Sequence, residues 1–272
     1  AQSRYHRAMT PSAMLWQPSP ERIAAANLTA FAARAAAATG RPMPDYATLW
    51  RWSVDDKEAF WRELWDYAGI VGERGGRTLV DGDRMPGARW FPDARLNFAE
   101  NLLAGRAAEP GREALVFRGE DKVERQMTNG ELLALVSRLA GALAAAGIGV
   151  GDRVAAYLPN MPEALAGMLG AASRGAIWSS CSPDFGVEGV LDRFGQIEPK
   201  LLITVDGYWY NGKAIPILDK VAAIAARLPS VERVVVVPYL REAPGASDEL
   251  AAVRGAVTLD AFTAPHPPGP VN

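Results

Sequence analysis

The sequence predicts an α/β fold: a largely parallel sheet with helices on both faces, preceded by a small helical N-terminal cap. Three observations carry that prediction. Between residues 153 and 237, short apolar runs of strand length alternate with helical patterns, the alternation that builds parallel sheets from βαβ units. Thr128-Asn129-Gly130-Glu131 forms a capping box ahead of an apolar helical repeat, its hydroxyl and carboxylate each able to satisfy one orphan amide. Ahead of residue 105, apolar and aromatic residues recur at helical spacing instead.

Bulk properties set the outer limits. With 272 residues, 49% hydrophobic and 22% charged, the chain is of ordinary globular composition and long enough for one large core or two modest ones. A net charge of -2 gives no electrostatic footprint for nucleic acid or an anionic membrane, so small-molecule ligands are expected. Cys181 is the single cysteine, which excludes an intrachain disulfide and suits a reducing, cytoplasmic setting. No apolar run approaches the ~18 residues a membrane-spanning helix needs. The opening AQSRYHRA has no basic-then-apolar signal pattern and is set aside from fold reasoning. Asn27-Leu28-Thr29 matches a glycosylation triplet but lies in an Ala-rich helical stretch, where it carries no weight.

In chain order, residues 20–40 predict one helix, with Pro20 near its start, Ile23, Leu28 and Phe31 on a helical repeat, and Gly40 as its stop. Residues 45–67 carry Trp50, Trp52, Phe60, Trp61, Leu64 and Trp65; Ser53 followed by acidic residues reads as a helix cap, and the aromatic stripe as a docking face for the neighbouring domain. A compact aromatic turn at 89–92 leads into a short helix that Asp93 caps. The small, polar segment 105–112 is the expected boundary, giving a helical cap over 1–110 and an α/β domain over 111–272. Residues 114–118 and 123–127 predict a hairpin with a four-residue loop. The capped helix after Thr128 buries Leu132, Leu135, Val136, Leu139 and Leu143 and ends at Gly147. Next come a strand at 153–158, a helix capped by Asn160 with Pro162 in its first turn and ending at Gly175, and a strand at 176–179. A helix at 187–197, a strand at 200–205, a helix at 215–228 and a strand at 231–237 complete the alternation. Beyond Tyr239 the chain turns polar and Pro-rich, with 253–262 its last apolar stretch.

Few residues suggest chemistry. Gly147-Ile148-Gly149-Val150-Gly151 lies between a helix and a strand, the reverse of the order that aims a helix N-terminus at a pyrophosphate. Residues 207–214, GYWYNGKA, fit the G-x-x-x-x-G-K spacing of a phosphate loop after a strand. Ala214 stands where a hydroxyl would hold magnesium, and three bulky residues obstruct an amide cradle, so the NTPase reading fails. Two readings of this loop stay open. Lys213 with Tyr208, Trp209 and Tyr210 holds a phosphate and stacks a base, or it is a solvated lysine on an aromatic-capped loop. The run Trp178-Ser179-Ser180-Cys181-Ser182-Pro183 is expected at the carboxyl edge, where open α/β sheets place ligands. Asp184, Glu188, Asp192 and Glu198 read as a solvated surface rather than paired catalytic carboxylates. With only His6 and His266, neither a metal cluster nor a Ser/His triad is supported, and Cys181 reads as a core residue without a base.

Two segments resemble a known family. Residues 90–103, WFPDARLNFAENLL, are similar to the sequence that opens adenylating acyl-CoA synthetases of the acetyl-CoA synthetase type, and the ENLL ending resembles the acetoacetyl-CoA synthetases. Residues 127–184 resemble the first blocks of the same superfamily: Thr before the Glu-Leu helix, Gly-Asp-Arg-Val before a strand, Leu-Pro-Asn-Met-Pro-Glu into a helix, and Arg-Gly-Ala-Ile leading to Ser-Pro-Asp. MLWQPSPERI and YNGKAIPI extend the resemblance over about residues 14–239.

The resemblance implies the first subdomain of an adenylate-forming enzyme behind an acetyl-CoA-synthetase-type cap, with acetoacetate, CoA, ATP and its magnesium as substrates and the remainder of its own polypeptide as partner. It implies that Trp178, Ser179 and Ser180 replace an aromatic-Gly-Gly lying near pantetheine. Tyr210 and Lys213 replace basic residues near the CoA 3′-phosphate, and only Lys213 keeps the charge. The family's Ser/Thr/Gly-rich phosphate loop, its magnesium and adenine motif, its ribose-binding Asp and its catalytic Lys have no counterpart here. The expectation is therefore an N-terminal portion of an acetoacetate-CoA ligase, inactive alone and without the ATP site. The alternative is a free-standing α/β module that binds a nucleotide or protein; a Rossmann dehydrogenase fails for want of a strand-first glycine fingerprint.

Overall fold

The computed structural model describes residues 15–241 and 248–269; AQSRYHRA with His6, then Met14 and Pro270-Val271-Asn272, lie outside the described residues. The chain forms two compact units, one up to Ala94 and one from Arg95. The first holds α1 (Pro20–Ala24), α2 (Asn27–Thr39), α3 (Tyr46–Asp55), α4 (Lys57–Tyr67) and a short antiparallel pair, β1 (Leu79–Val80) with β2 (Arg89–Trp90).

The single helix expected over 20–40 is broken at Ala25-Ala26, where the Ile23 carbonyl accepts from Ala26 N at 3.2 Å and also from the Thr29 hydroxyl at 2.6 Å. Gly40, at φ 66, stops α2 as expected, but only Phe31 and Ala35 of that helix are buried, while Ile23 and Leu28 are exposed. Ser53 is not a cap. It lies inside α3 and donates to Trp50 O, while Asp45 caps α3 and Asp56 caps α4 through Ala59 N at 3.2 Å. Half of the aromatic stripe expected as a docking face, Trp52, Phe60 and Leu64, joins this unit's own core: Phe60 meets Phe31 at 5.7 Å and Trp52 at 5.5 Å, and Tyr67 meets Phe31 at 5.2 Å. Trp50 remains 52% exposed. Asp93 pairs with Arg77 instead of capping the next helix.

The second unit opens with α5 (Phe98–Leu103), capped by Asn97, whose Oδ1 accepts from Ala99 N and Glu100 N while its amide donates to Ala172 O and Ser173 O. Those bonds place α5 with the sheet. The segment 105–112, expected as the boundary, contains a 3₁₀ turn at Arg106–Ala108 inside this unit. Then follow the antiparallel hairpin β3 (Glu113–Gly119) and β4 (Val123–Thr128), α6 (Asn129–Ala145), β5 (Arg153–Tyr157), α7 (Pro162–Ser173), β6 (Ile177–Cys181) and α8 (Val187–Gly195). After these come β7 (Leu201–Val205), a second hairpin of β8 (Gly207–Tyr210) and β9 (Lys213–Pro216), α9 (Leu218–Arg227), β10 (Arg233–Val237), α10 (Asp248–Ala251), β11 (Ala256–Thr258) and α11 (Leu259–Thr263). The capping box closes α6 with both of its bonds. Asn160 does not cap α7; Met161 stands at the cap with no side-chain bond, and Pro162 sets the first turn.

The main sheet is five-stranded and parallel throughout, in the order β11-β10-β7-β5-β6. Right-handed crossovers fix the layers: β5 to β6 runs one way along the sheet and β6 to β7 the other, which sends α7 and α8 to opposite faces. Accordingly α7 packs on α6, and α8 on α9. Every residue of β7 is buried, as its unbroken LLITV requires of a strand covered on both sides. Among the described residues no helix is long and apolar enough to cross a membrane.

At the end of β7, Asp206 is only 3% exposed, and its carboxylate accepts from Tyr239 N and Leu240 N at 2.9 Å each and Arg241 N at 3.1 Å. Replacing it by Ala removes the acceptor of the buried Tyr239 amide and of the part-buried Leu240 and Arg241 amides. Asp206→Ala is expected to destabilise the chain by about 3 kcal/mol in urea denaturation, and Asp206→Asn, which keeps one acceptor oxygen, by less. A loss well below ~1 kcal/mol for the Ala variant would show that water replaces the carboxylate without penalty.

Candidate functional site

The carboxyl ends of β5, β6, β7 and β10 define the edge where a parallel sheet presents its loops. Tyr157, at the end of β5, is fully buried and shares its hydroxyl proton between Pro183 O at 2.8 Å and Phe185 O at 2.6 Å, while Thr204 Oγ1 donates to Tyr157 O at 2.8 Å. This tyrosine fixes the Ser182-Pro183-Asp184-Phe185 turn beneath the edge. Asp184 is exposed above it. Burial, with Cys181, Tyr208 and Asp184 adding to it, holds the Tyr157 phenol far above its ordinary range, and burial with Asp184 and Tyr210 raises Tyr208.

The structure places Trp178, Ser179 and Ser180 within β6, not beyond its carboxyl end. β6 runs to Cys181, two residues further than the expected strand, and it is the sheet's edge strand. Trp178 pairs with Val154, which pairs in turn with Leu201, the first residue of β7, so the indole sits at the amino end of the strands. Its ring packs over Gly167 of α7, where a Cβ would come within 2.8 Å of Trp178 Cη2. Trp178 is thus a packing residue of that face, Ser179 is half-buried, and Ser180 is exposed.

Tyr210 and Lys213 occupy the closing pair of the β8–β9 hairpin, facing each other across Asn211-Gly212. The phosphate-loop spacing therefore lies on a two-residue hairpin. Asn211 and Gly212 have φ of 49° and 73°, the paired positive values a tight primed turn demands. Their amides are already engaged: Asn211 N donates to Glu120 Oε1 at 2.6 Å and Gly212 N to Glu120 Oε2 at 2.9 Å. Of the three aromatics, only Tyr210 is exposed, at 63%; Tyr208 and Trp209 pack against the core. Lys213 is exposed. The hairpin also delays α9, which begins at Leu218 instead of 215. This stretch, expected as a loop, is a hairpin that the expectation missed, although Asn-Gly is a hairpin signal that points to a turn there; nothing near Glu120 or Asp206 announces their partners.

Asp184, Glu188, Asp192 and Glu198 are all exposed, and Glu188 pairs with Arg227. Among the described residues no group of three or more His, Cys, Asp or Glu is placed to hold a metal ion. Cys181 is half-buried against the core, and burial pushes its thiol up to about 11 from an ordinary 9.0, with Arg193 opposing the shift and Asp184 adding to it. Because the folded thiol keeps its proton where the unfolded one loses it, its contribution to stability is complete below pH 9.0 and is lost as pH rises toward about 11. At pH 8 the folded chain should carry roughly a hundredfold less thiolate than the unfolded chain and react correspondingly slowly with iodoacetamide. Equal rates in buffer and in urea would contradict this.

Comparison with known proteins accords with this geometry. A model of the acetyl-coenzyme A synthetase N-terminus matches residues 46–102, and a model of AMP-binding enzymes matches residues 104–269. The chain is 53% identical over 258 residues to an acetoacetyl-coenzyme A synthetase of Rhizobium meliloti, covering 94% of this chain and 38% of that protein. It is 38% identical over 242 residues to a malonamoyl-CoA synthetase of Penicillium aethiopicum, covering 87% of this chain and 33% of that protein. The solved structure of an acetoacetyl-CoA synthetase from Streptomyces lividans superposes with a TM-score of 0.81 at 41% identity, covering 92% of this chain and 38% of that one. The chain thus spans under two-fifths of the length of these relatives. Its parallel sheet and the match over residues 104–269 show that it belongs to the AMP-binding enzyme family, with a segment similar to the acetyl-coenzyme A synthetase N-terminus ahead of that domain.

Proposed function

We propose that this chain is the N-terminal portion of an ATP-dependent acetoacetate-CoA ligase and forms part of its coenzyme A side. In the whole enzyme acetoacetate attacks ATP to give an acyl-adenylate and pyrophosphate, and the CoA thiol then attacks the adenylate, releasing AMP. The observation that carries the CoA assignment is Lys213: an exposed cation beside a two-residue turn at the carboxyl edge, paired across the hairpin with the exposed Tyr210. A lysine there meets the CoA 3′-phosphate as a point charge, and the tyrosine offers a face on which the adenine stacks. Ser179 and Ser180 lie on the open edge strand toward the pantetheine arm, and Trp178 supports that strand by packing on α7.

On this reading ATP and its magnesium are handled by residues outside these 272, because the motifs that do so in the family have no counterpart among them. The similarity to synthetases of two different acyl groups, acetoacetyl and malonamoyl, supports placing acyl choice outside this chain as well. The domain division that fits this reading is a helical cap followed by the first part of the AMP-binding domain.

Two measurements test the assignment. The 272-residue chain alone is expected to give no acetoacetate-dependent exchange of pyrophosphate into ATP; exchange above background would overturn it, since phosphoryl charge must be stabilised by positioned groups. In the whole enzyme, Lys213→Ala should raise KM for CoA by about tenfold, the worth of one charged contact, while pyrophosphate exchange stays near wild type. Equal loss in both half-reactions would mark Lys213 as structural.

A further inference from the structure

The side chain that holds the Lys213 turn lies on a different hairpin. Glu120 sits at the β3–β4 turn with φ 54°, and its two carboxylate oxygens accept separately from Asn211 N and Gly212 N, 91 and 92 residues away. The β3–β4 hairpin is itself anchored to the sheet. Arg125 on β4 donates to Glu163 Oε1 on α7 at 2.5 Å, and its guanidinium lies 5.9 Å from the Phe117 ring centre and 5.7 Å from that of Tyr239. At its base the β8–β9 hairpin is tied by Ile217 N donating to Asp206 O at 3.1 Å. A two-stranded hairpin held at one end is marginal on its own, so the second tie at its tip sets how firmly the Tyr210–Lys213 pair is presented.

We propose that Glu120 is a positioning residue for coenzyme A recognition: by clasping the Asn211-Gly212 amides to the β3–β4 hairpin it fixes the backbone that carries Lys213. The same clasp fills the anion-binding face of the turn with the chain's own carboxylate, so the lysine side chain, and not the turn amides, meets a phosphate. This rests on the reading of Lys213 as a CoA 3′-phosphate contact, and the test separates the two.

The variants are Glu120→Gln, which keeps volume and one good acceptor, Glu120→Ala, and Lys213→Ala. The first measurement is hydrogen exchange of the 272-residue chain. Glu120→Ala should raise exchange at Asn211 and Gly212 by roughly tenfold or more, the worth of a charge-assisted bond, with β5, β7 and β10 protected as before. The second is steady-state kinetics of the whole enzyme with CoA and with dephospho-CoA, which lacks the 3′-phosphate. Glu120→Ala should raise KM for CoA about fivefold with kcat unchanged and raise KM for dephospho-CoA by less, because that ligand keeps the adenine that Tyr210 stacks but lacks the phosphate, with Glu120→Gln in between. If Lys213→Ala alters the CoA to dephospho-CoA ratio and Glu120→Ala does not, the inference is overturned and the phosphate reading stands. If Lys213→Ala leaves the ratio unchanged, the phosphate reading is overturned, and the role of Glu120 in CoA recognition falls with it. A lowered KM for CoA in Glu120→Ala would show that its charge repels the phosphate, which also overturns the inference.

Discussion

The arrangement at the carboxyl edge depends on one buried carboxylate. Asp206 ends the central strand β7, and water cannot satisfy it there, so it must find donors in the protein. It takes three successive amides from the exit of β10, 33 to 35 residues downstream, while its own carbonyl receives Ile217 N at the foot of the β8–β9 hairpin. Three pieces of chain therefore share one joint. The next residue has to be glycine: a Cβ at Gly207 would lie 2.3 Å from Leu240 Cδ1 and 2.6 Å from Ile215 O, too close for any side chain.

Above that joint the exposed groups stand on elements that the scaffold holds from several sides. Tyr157 holds the turn after β6 through two carbonyls, and the two hairpins meet at their tips through Glu120. This is the usual division between a rigid sheet and the loops that meet ligands, with the loops here made stiff by buried or chelated hydrogen bonds. Trp178 belongs to the scaffold side of the division. Its indole fills the space that Gly167 leaves on α7, and its position near the amino end of β6 separates it from the edge that its sequence neighbourhood suggested.

Elements were legible where the signal is local and redundant. The capping box at Thr128 and Glu131 forms with both bonds, because its partners lie three residues apart and the neighbouring Asn129 is engaged by Glu109 O and Arg106 instead. Cap assignments failed where several polar residues compete: Asp56 displaces Ser53 at α4 and Asn97 displaces Asp93 at α5; at α7 the helix starts one residue later than expected, with Met161 at the cap and no side-chain bond, because Pro162 sets its first turn. At α5 the reason is tertiary, since Asn97 caps the helix and also donates to the end of α7, whereas Asp93 is drawn to Arg77. In the Ala-rich stretch of α1 and α2, apolar spacing could not reveal the break at Ala25-Ala26, because alanine is equally at home on either side of it.

The sequence by itself determined the alternation of strands and helices, the parallel sheet covered on both faces, and the kinship with adenylating acyl-CoA synthetases, since periodicity and contiguous motifs are written along the chain. Tertiary structure alone decided that β6 is an edge strand carrying Trp178 inside it, that the tip of the β8–β9 hairpin is tied to the β3–β4 hairpin, and that Glu120 and Asp206 clasp amides far along the chain. The physical reason is common to all of these. A backbone amide has no sequence signature, so a carboxylate that binds one 33 or 91 residues away leaves no pattern to read until the chain has folded and brought the two together.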